Sequence, residues 1–320
     1  MTIWVISDGK PGHVNQSMGL VSALNRRASV DVYRVEIGGL NFWKAWRKVV
    51  RQDYPRPDII LGAGHKTHIP VWLAARKYKA LSFLCMKPSL PMFFYDLCFV
   101  PYHDLILDSD DLMTKYYELR DNSKCVPGYV FPTMGALHRI VPHPEETKEF
   151  TLILVGGPSK FFFWNTLKLV DQLRKIRERT EGRIILTTSR RTPKDVIPKL
   201  IDEFPDIEIY PVEQTDSDWV PEHLRKANAV WVTEDSVSMI FESMGSGVFV
   251  GLLEIPKKPV GTPRVATGIQ LVLAEGYVTP FTQWERGKAN AKHRRNVLEA
   301  DRAAEFVLNK YPQLMDKKDE

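Results

Sequence analysis

The sequence predicts an α/β protein built from two consecutive doubly wound, Rossmann-like domains. Short apolar runs alternate with segments of helical length, which is typical of parallel strands joined by crossover helices. This alternation breaks in a proline-containing stretch near the middle of the chain and then begins again. The length of 320 residues also suits two domains of about 150 residues each.

Five strands are predicted in the first half, because each run is apolar and is bounded by turn residues. These strands are Ile3–Ser7, Val30–Ile37, Ile59–Leu61, Leu81–Cys85 and Leu97–Val100. Apolar residues at helical spacing predict helices over Gln16–Asn25 and Ile69–Tyr78. Elements in this order predict one parallel sheet with helices on its faces.

The domain boundary is predicted at the end of the proline-containing stretch. The prolines that interrupt the strand pattern are Pro127, Pro132, Pro142 and Pro144. The polar run Glu145–Glu149 follows them and offers no apolar side chain to a core. We therefore place the first domain at residues 1–147 and the second at residues 148–320.

The second half repeats the alternation. Its predicted strands are Phe150–Val155, Ile184–Thr188, Ile207–Tyr210, Val230–Thr233 and Val248–Leu252. Its predicted helices are Asn165–Arg179, one that opens at Pro193, Ser236–Met244 and the charged stretch Ala289–Leu308. Proline suits the first position of a helix, which is why one helix is placed to begin at Pro193. Two such domains predict a ligand cleft at the carboxyl ends of their strands.

Composition and charge narrow the functional classes. The chain has 44 basic and 39 acidic residues, and a net charge of +5 is too small to favour a nucleic-acid-binding protein. Three widely separated cysteines without C-x-x-C spacing tell against a disulfide framework or a zinc site and fit the reducing cytoplasm. No stretch reaches the roughly 18 apolar residues that a membrane span needs. We therefore expect a cytoplasmic protein that meets membranes only at their surface.

Two loops at predicted strand ends in the first half concentrate polar side chains. Ser7–Gln16 leads from the first strand into the first helix, and its free N–H groups beside a helix start suit an anion. Gly62–Thr67 follows the third strand in the same way. The candidate residues in these loops are Asp8, Lys10, His13, Asn15, Gln16, Gly64 and His65. Ordinary strand-to-helix turns, in which these residues serve geometry alone, are the alternative.

Two loops in the second half favour a phosphate ligand. The first places two hydroxyls and two guanidinium groups between a strand and a helix, namely Ser189, Arg190, Arg191 and Thr192. Arginine forks match phosphate oxygens, and a helix N-terminus adds positive potential. The second loop and the helix after it carry Asp235, Ser236, Ser238 and Glu242. Solvated arginines in the first loop and simple helix capping in the second are the alternatives.

An aromatic and basic segment, Phe42–Arg51, predicts an amphipathic helix. The residues on its apolar face are Phe42, Trp46, Val49 and Val50, and those largely on the other face are Lys44, Arg47, Lys48 and Arg51. A helix of this kind can lie on an anionic membrane surface. The alternative is a helix whose apolar face packs into the domain core and whose basic edge is solvated.

Together these segments resemble the ELM1 family, which is named after a plant mitochondrial fission factor and includes proteobacterial members assigned as glycosyltransferases. The matching segments are Trp4–His13 with Asn15 and Gln16, Gly62–Gly64, Pro101–Asp104, Gly156–Pro158, Thr187–Thr192 and Asp235–Met239. They cover nearly the whole chain in the expected order. The resemblance implies a GT-B-like fold, in which two Rossmann-like domains face each other across a cleft.

The resemblance further implies a metal-independent glycosyltransferase. Its donor would be a nucleotide-sugar, and its acceptor a lipid-linked saccharide of the lipopolysaccharide or lipooligosaccharide core, met at the cytoplasmic face of the inner membrane. Arginines and N–H groups would stabilise the leaving diphosphate without a metal ion or a cofactor. The absence of a D-x-D motif at the end of a predicted strand in the cleft also tells against a metal-dependent transferase.

The resemblance also assigns roles to the two domains. The donor residues in the second domain would be Gly156, Gly157, Ser189, Arg190, Arg191, Thr192, Asp235, Ser236, Ser238 and Glu242. The acceptor residues in the first domain would be Lys10, Asn15, Gln16, Gly64 and His65. Asp8 is the preferred general base because it stands at a strand end, and His13 is the other candidate.

Two other functions are compatible with the same fold. A nucleotide-sugar epimerase would need more acid–base groups in the cleft than the sequence offers. The plant member of the family implies a catalytically silent scaffold that recruits a membrane-remodelling partner. The polar loops argue against the scaffold, because a silent protein has no use for two arginines and several hydroxyls there.

Overall fold

The computed structural model describes residues 1–106, 111–121, 126–259, 264–288 and 297–315. The chain divides into two compact units. Unit 1 contains Met1–Arg139 and the chain from Leu298 onward, and unit 2 contains Ile140–Val297. Each unit holds one six-stranded sheet whose paired strands all run parallel.

The sheet of unit 1 has the strand order β2-β1-β3-β4-β5-β6. Its strands are β1 (Thr2–Ser7), β2 (Asp31–Glu36), β3 (Ile59–Ala63), β4 (Leu81–Cys85), β5 (Leu97–Pro101) and β6 (Val130–Thr133). The central strands are buried at every position except the first residues of β1 and β4, because both faces of the sheet are covered. Ile3 and Val5 belong to the core on one face, whereas Trp4 and Ile6 belong to the core on the other.

The helices of unit 1 lie on both faces of this sheet. They are α1 (Pro11–Asn25), α2 (Phe42–Val50), α3 (His68–Tyr78), α4 (Tyr102–Leu105), α5 (Leu112–Asp121) and α12 (Glu299–Lys310). The core on one face takes apolar residues from α1 and α12, among them Leu20 and Ala303. The core on the opposite face takes residues from α2 and α3, among them Val49 and Val71.

The sheet of unit 2 has the strand order β12-β11-β10-β7-β8-β9. Its strands are β7 (Phe150–Leu154), β8 (Arg183–Thr187), β9 (Glu208–Tyr210), β10 (Ala227–Thr233), β11 (Phe249–Leu253) and β12 (Thr279–Pro280). Its helices are α6 (Thr166–Arg179), α7 (Val196–Glu203), α8 (Trp219–Lys226), α9 (Val237–Gly245), α10 (Arg264–Ala274) and α11 (Phe281–Glu285). One core cluster joins α6 and α7 to β7 and β8, with Leu173 and Leu200 fully buried.

Several sequence predictions of individual elements were wrong. No strand was predicted around Pro132, but Val130–Thr133 forms the strand β6. β6 is the edge strand of its sheet, and an edge strand tolerates a proline that cannot donate a hydrogen bond. Pro193 does not begin a helix either. Its carbonyl accepts a turn hydrogen bond from Val196, where α7 begins.

The C-terminal helix is shorter than predicted and lies in a different unit. Of the predicted helix Ala289–Leu308, residues 289–296 lie outside the described residues, and α12 begins only at Glu299. The carboxylate of Asp301 in α12 pairs with Arg26 and Arg27 at the end of α1. The second domain is therefore not the continuous segment 148–320, because the last helix completes the core of unit 1.

Within the part of the chain that the structure describes, no helix has the length and apolar character needed to cross a membrane.

We expect Glu299→Ala to destabilise the fold, because Glu299 fastens α12 to the loop after β6. Its Oε2 accepts a hydrogen bond of 2.7 Å from the buried N–H of Met134, and it also pairs with Arg302. Removing the acceptor leaves that N–H unsatisfied, which costs about 1–3 kcal/mol. Urea unfolding of this variant, beside Glu305→Ala at an exposed position of the same helix, measures the loss. Equal urea midpoints for the two variants would show that Glu299 does not fasten α12 to this loop.

Candidate functional site

The strand order brings the polar loops of each unit together. Parallel strands end at one edge of a sheet, which we call the carboxyl edge, and ligands of doubly wound proteins bind there. In unit 1, β1 and β3 are paired neighbours. The loop after Ser7 and the loop after Ala63 therefore lie side by side.

A hydrogen-bonded pair of side chains, Asp8 and His13, lies at the carboxyl edge of unit 1. The Nδ1 atom of His13 lies 2.9 Å from Oδ1 and 3.0 Å from Oδ2 of Asp8. The Asp8 side chain is 2% exposed, whereas that of His13 is 28% exposed. An ionised carboxylate can only accept, so Nδ1 carries the hydrogen, and in the neutral form of the ring Nε2 has the lone pair.

Two glycines make room for this pair. Gly9 has a φ of +80°, which lets the chain turn directly after Asp8. Gly64 has a φ of +89°, and a Cβ atom there would lie 2.1 Å from Nδ1 of His13. The imidazole thus packs against the backbone of the neighbouring loop, and no larger residue fits at position 64.

The pKa of Asp8 does not suit it to act as the base. Burial by itself raises this pKa, but the hydrogen bonds from His13 and from the Lys10 N–H, with the charges of these two residues, together outweigh burial. The net effect lowers the pKa below its ordinary value. A low pKa makes a carboxylate a weaker base, so the geometry favours His13 as the base and Asp8 as its partner.

The other predicted residues of unit 1 differ in their exposure. Lys10 and His65 are exposed, and Asn15 and Gln16 are partly buried. The Oε1 atom of Gln16 is buried and finds no hydrogen-bond donor among the described residues.

His68 is a residue that sequence reasoning missed. It begins α3 directly after the loop that holds Gly64, and its ring lies 5.8 Å from that of His65. Its Nδ1 accepts a hydrogen bond from the Ser89 N–H at 3.1 Å. Burial, followed by the nearby histidines 65 and 13, lowers the pKa of His68 to about 4. The ring is therefore neutral at physiological pH. A histidine following a glycine loop at a strand end was the available signal.

In unit 2, three neighbouring strands bring three polar loops together. β7 lies between β8 and β10, so the loops after these strands meet at the carboxyl edge. Asp235, in the loop after β10, is at their centre, and none of its side-chain surface is exposed. Its Oδ2 accepts a hydrogen bond of 2.9 Å from the N–H of Gly157, in the loop after β7.

Arg191, in the loop after β8, binds the other two loops. One terminal nitrogen lies 2.7 Å from Oδ2 of Asp235 and 3.1 Å from Oγ of Ser236. The other donates to the carbonyl of Gly157 at 2.8 Å and to that of Pro158 at 3.3 Å. Arg191, Asp235, Ser236 and Gly157, all predicted donor residues, thus form one hydrogen-bonded cluster.

The glycine pair after β7 is required by close packing. A Cβ atom at Gly156 would lie 2.2 Å from Oγ of Ser236 and 2.3 Å from Oδ2 of Asp235. A Cβ atom at Gly157 would lie 2.1 Å from the carbonyl oxygen of Arg191. The Thr192 hydroxyl adds a hydrogen bond to the carbonyl of Gly156, and it accepts one from the N–H of Ser189.

The remaining predicted donor residues lie outside this cluster. Arg190 is exposed, and it makes no hydrogen bond or ion pair with any described residue. Ser238 is exposed in the first turn of α9, and Glu242 is partly buried one turn further. Ser236 stands at the N-cap position of α9, but its hydroxyl does not cap the helix and instead contacts Asp235 and Arg191.

Glu234 is the second buried carboxylate at this edge. Burial raises its pKa, and the ammonium of Lys257, 3.7 Å away, only partly offsets that effect. It follows β10 directly, next to Asp235.

Comparison with known proteins gives a family and a fold. The sequence model of the family described as "Mitochondrial fission ELM1" matches residues 11–311, which includes His13 but not Asp8. An uncharacterised protein of Rickettsia prowazekii is 25% identical, with 77% of this chain and 81% of the relative covered.

Among solved structures, the chain is similar to UDP-GlcNAc 2-epimerases. The enzyme of Methanocaldococcus jannaschii matches with a TM-score of 0.56 at 12% identity, covering 97% of this chain and 100% of the other. A Listeria monocytogenes protein assigned as a UDP-N-acetylglucosamine 2-epimerase matches with a TM-score of 0.59 at 14% identity, covering 99% and 97%. The prediction of a GT-B-like fold with two Rossmann-like domains is confirmed.

We expect the stability of the protein to fall as the pH drops from about 6.5 towards 4, in part because of His68. The unfolded chain takes up a proton at His68 near pH 6.5, whereas the folded chain resists it until about pH 4, so acid favours unfolding in this window. Above pH 6.5 the residue contributes no pH dependence. Thermal unfolding of the native protein and His68→Gln between pH 4 and 8 tests this, with His143→Gln as a control. Parallel pH profiles for all three proteins would refute the assignment.

Proposed function

The chain belongs to the mitochondrial fission ELM1 family, and we propose that it is a metal-independent glycosyltransferase. It transfers a sugar from a nucleotide-activated donor to a lipid-linked saccharide of the lipopolysaccharide or lipooligosaccharide core type. The observation that carries the proposal is the Asp8–His13 pair at the carboxyl edge of unit 1. The separate arginine-containing cluster at the carboxyl edge of unit 2 supports it.

The Asp8–His13 pair has the arrangement of a general base with an orienting carboxylate. Asp8 fixes the tautomer, so Nε2 of His13 can take the proton from an acceptor hydroxyl. The hydroxyl oxygen then forms a bond to the anomeric carbon of the donor sugar. The bond from that carbon to the phosphate oxygen breaks, and the nucleoside diphosphate leaves with the electron pair. Lys10, Asn15, Gln16, Gly64 and His65 are the proposed acceptor contacts.

The donor is proposed to bind at the carboxyl edge of unit 2. The M. jannaschii epimerase has a structure in complex with UDP-GlcNAc and UDP, which matches this chain with a TM-score of 0.52 and supports a nucleotide-sugar as ligand. Arg190 in the loop after β8, with Ser236 and Ser238 at the start of α9, would face the diphosphate, where cationic and N–H groups stabilise the leaving charge. Glu242 would take a hydroxyl of the ribose or sugar. No metal ion or cofactor is part of the proposal.

The lipid-linked acceptor requires contact with a membrane, and α2 is the proposed contact at the inner face of the inner membrane. Its predicted apolar face is divided, because Val49 is buried in the core whereas Phe42 is 37% exposed. The neighbouring Trp43 is 71% exposed. Aromatic side chains at one end of the helix and cations along it suit an anionic interface. The exposed cations are Lys44, Arg47, Lys48 and Arg51.

We expect His13→Gln to lower turnover by about 100-fold or more, because it removes the base. Asp8→Asn should also lower turnover, since an amide no longer fixes the tautomer of His13. The measurement is release of nucleoside diphosphate from a panel of nucleotide-sugars, with and without extracted lipooligosaccharide, and His143→Gln, in unit 2, serves as the control. If His13→Gln turned over the donor as fast as the control, His13 would be ruled out as the base.

The same assay separates the two other functions. An epimerase would convert the sugar of the donor without any acceptor and without releasing nucleotide. A silent scaffold would turn over no donor in the panel, and the variants would then differ from the native protein in no kinetic property.

We expect the protein to sediment with anionic liposomes at low salt and to be released as salt rises. Each cation near an anionic surface contributes about 1 kcal/mol to the binding free energy. Salt weakens this attraction, because the Debye length falls to about 8 Å at physiological ionic strength. Replacing Lys44, Arg47, Lys48 and Arg51 by Glu should abolish sedimentation, and Trp43→Ser should weaken it.

The matched control changes the net charge equally at four exposed positions elsewhere. Its substitutions to Glu are at Lys115, Lys194, Arg286 and Lys288. If the two fourfold variants sediment alike, the contact is not made by α2.

A further inference from the structure

We propose that the two adjacent arginines after β8 have separate tasks. Arg191 is a positioning residue that holds three loops around the buried carboxylate of Asp235, and Arg190 is the residue that contacts the diphosphate of the donor. The role of Arg190 rests on the proposed function, whereas the role of Arg191 depends on no ligand.

The hydrogen bonds of Arg191 are directed into the protein. Its two terminal nitrogens reach Asp235, Ser236 and the carbonyls of Gly157 and Pro158 at 2.7 to 3.3 Å. These partners belong to the loops after β7 and β10, and Arg191 itself belongs to the loop after β8. One side chain therefore cross-links all three loops, although 43% of its surface remains exposed.

The charge of Arg191 is matched by that of Asp235. A carboxylate without any exposed surface is costly unless a cation and hydrogen-bond donors compensate it. The guanidinium of Arg191 is the cation that meets Oδ2 of Asp235, and the N–H of Gly157 adds a donor. An Arg191 released to bind phosphate would leave that carboxylate buried without its partner.

The packing around the glycines gives the pair little freedom to rearrange. The Asp235 carboxylate lies so close to Gly156 that a Cβ atom there would overlap both of its oxygens, at 2.3 and 2.6 Å. The backbone of Arg191 lies equally close to Gly157. The three loops are thus packed tightly around the Arg191–Asp235 pair.

Arg190 has the properties that Arg191 lacks. It is exposed at the same edge, and no described residue neutralises its charge. A guanidinium with all its donors available can bind two phosphate oxygens at once. Its neighbour Arg191 fixes the loop from which it projects.

Thermal unfolding without any ligand tests the role of Arg191. Arg191→Ala should lower the Tm, because it leaves the Asp235 charge buried and unpaired. The double variant Arg191→Ala with Asp235→Asn should regain part of that loss, since the amide keeps the acceptor oxygen for Gly157 and removes the charge. Arg190→Ala is the matched control and should keep the native Tm. A double variant less stable than Arg191→Ala, or an Arg191→Ala protein with the native Tm, would overturn this role.

Calorimetric titration with UDP and with uridine tests the role of Arg190. Arg190→Ala should bind UDP about 10- to 100-fold more weakly, as expected for lost charged hydrogen bonds, and uridine with native affinity. Arg191→Ala should weaken the binding of both ligands by the same factor. The substitution disorders the loops that form the site, but it removes no contact with phosphate. Weaker UDP binding alone in Arg191→Ala, or native UDP binding in Arg190→Ala, would reverse the assignment.

The two tests distinguish failure of this proposal from failure of the proposed function. If the native protein binds none of UDP, GDP, ADP and CDP, both the donor site and the role of Arg190 are refuted. The order of the Tm values still decides whether Arg191 holds the loops.

Discussion

Parallel pairing within each six-stranded sheet is the constraint on which both polar sites depend. Because all strands of a parallel sheet run the same way, the loops that follow them converge on one edge. β1 and β3 bring the loops of Asp8 and Gly64 together, and β8, β7 and β10 do the same for Arg191, Gly157 and Asp235. Residues far apart in the sequence become neighbours in this way, and glycines in the loops leave room for their close contacts.

The two sites solve the same electrostatic problem in related ways. Each contains a buried carboxylate at a strand end, Asp8 or Asp235. Each carboxylate contacts a nitrogen atom of a less buried side chain, His13 or Arg191. In both, a glycine allows the contact to form. The difference lies in the partner, because an imidazole can exchange a proton near neutral pH whereas a guanidinium stays charged. The first pair therefore suits acid–base chemistry, and the second suits the positioning of loops.

The helix α2 shows which part of an amphipathic pattern only the fold can decide. Its helical period was evident in the sequence, but the period did not reveal which apolar residues the core would use. The fold buries Ala45 and Val49 and leaves Phe42 and Trp43 at the surface. The proposed membrane contact rests on these two exposed aromatic side chains and on the cations beside them.

The sequence by itself determined the fold class, most strands and the loops in which the polar residues lie, because burial between two layers of helices imposes apolar runs of recognisable length. It did not determine to which unit α12 belongs or that a strand forms at Pro132. Both depend on which face or edge of the sheet remains open after the other elements have packed. Only the tertiary structure decided which side chains pair within each site. That Asp8 pairs with His13, and that Arg191 but not Arg190 is held by neighbouring loops, depends on how the chain folds, and the order of residues along the chain does not encode distances between side chains.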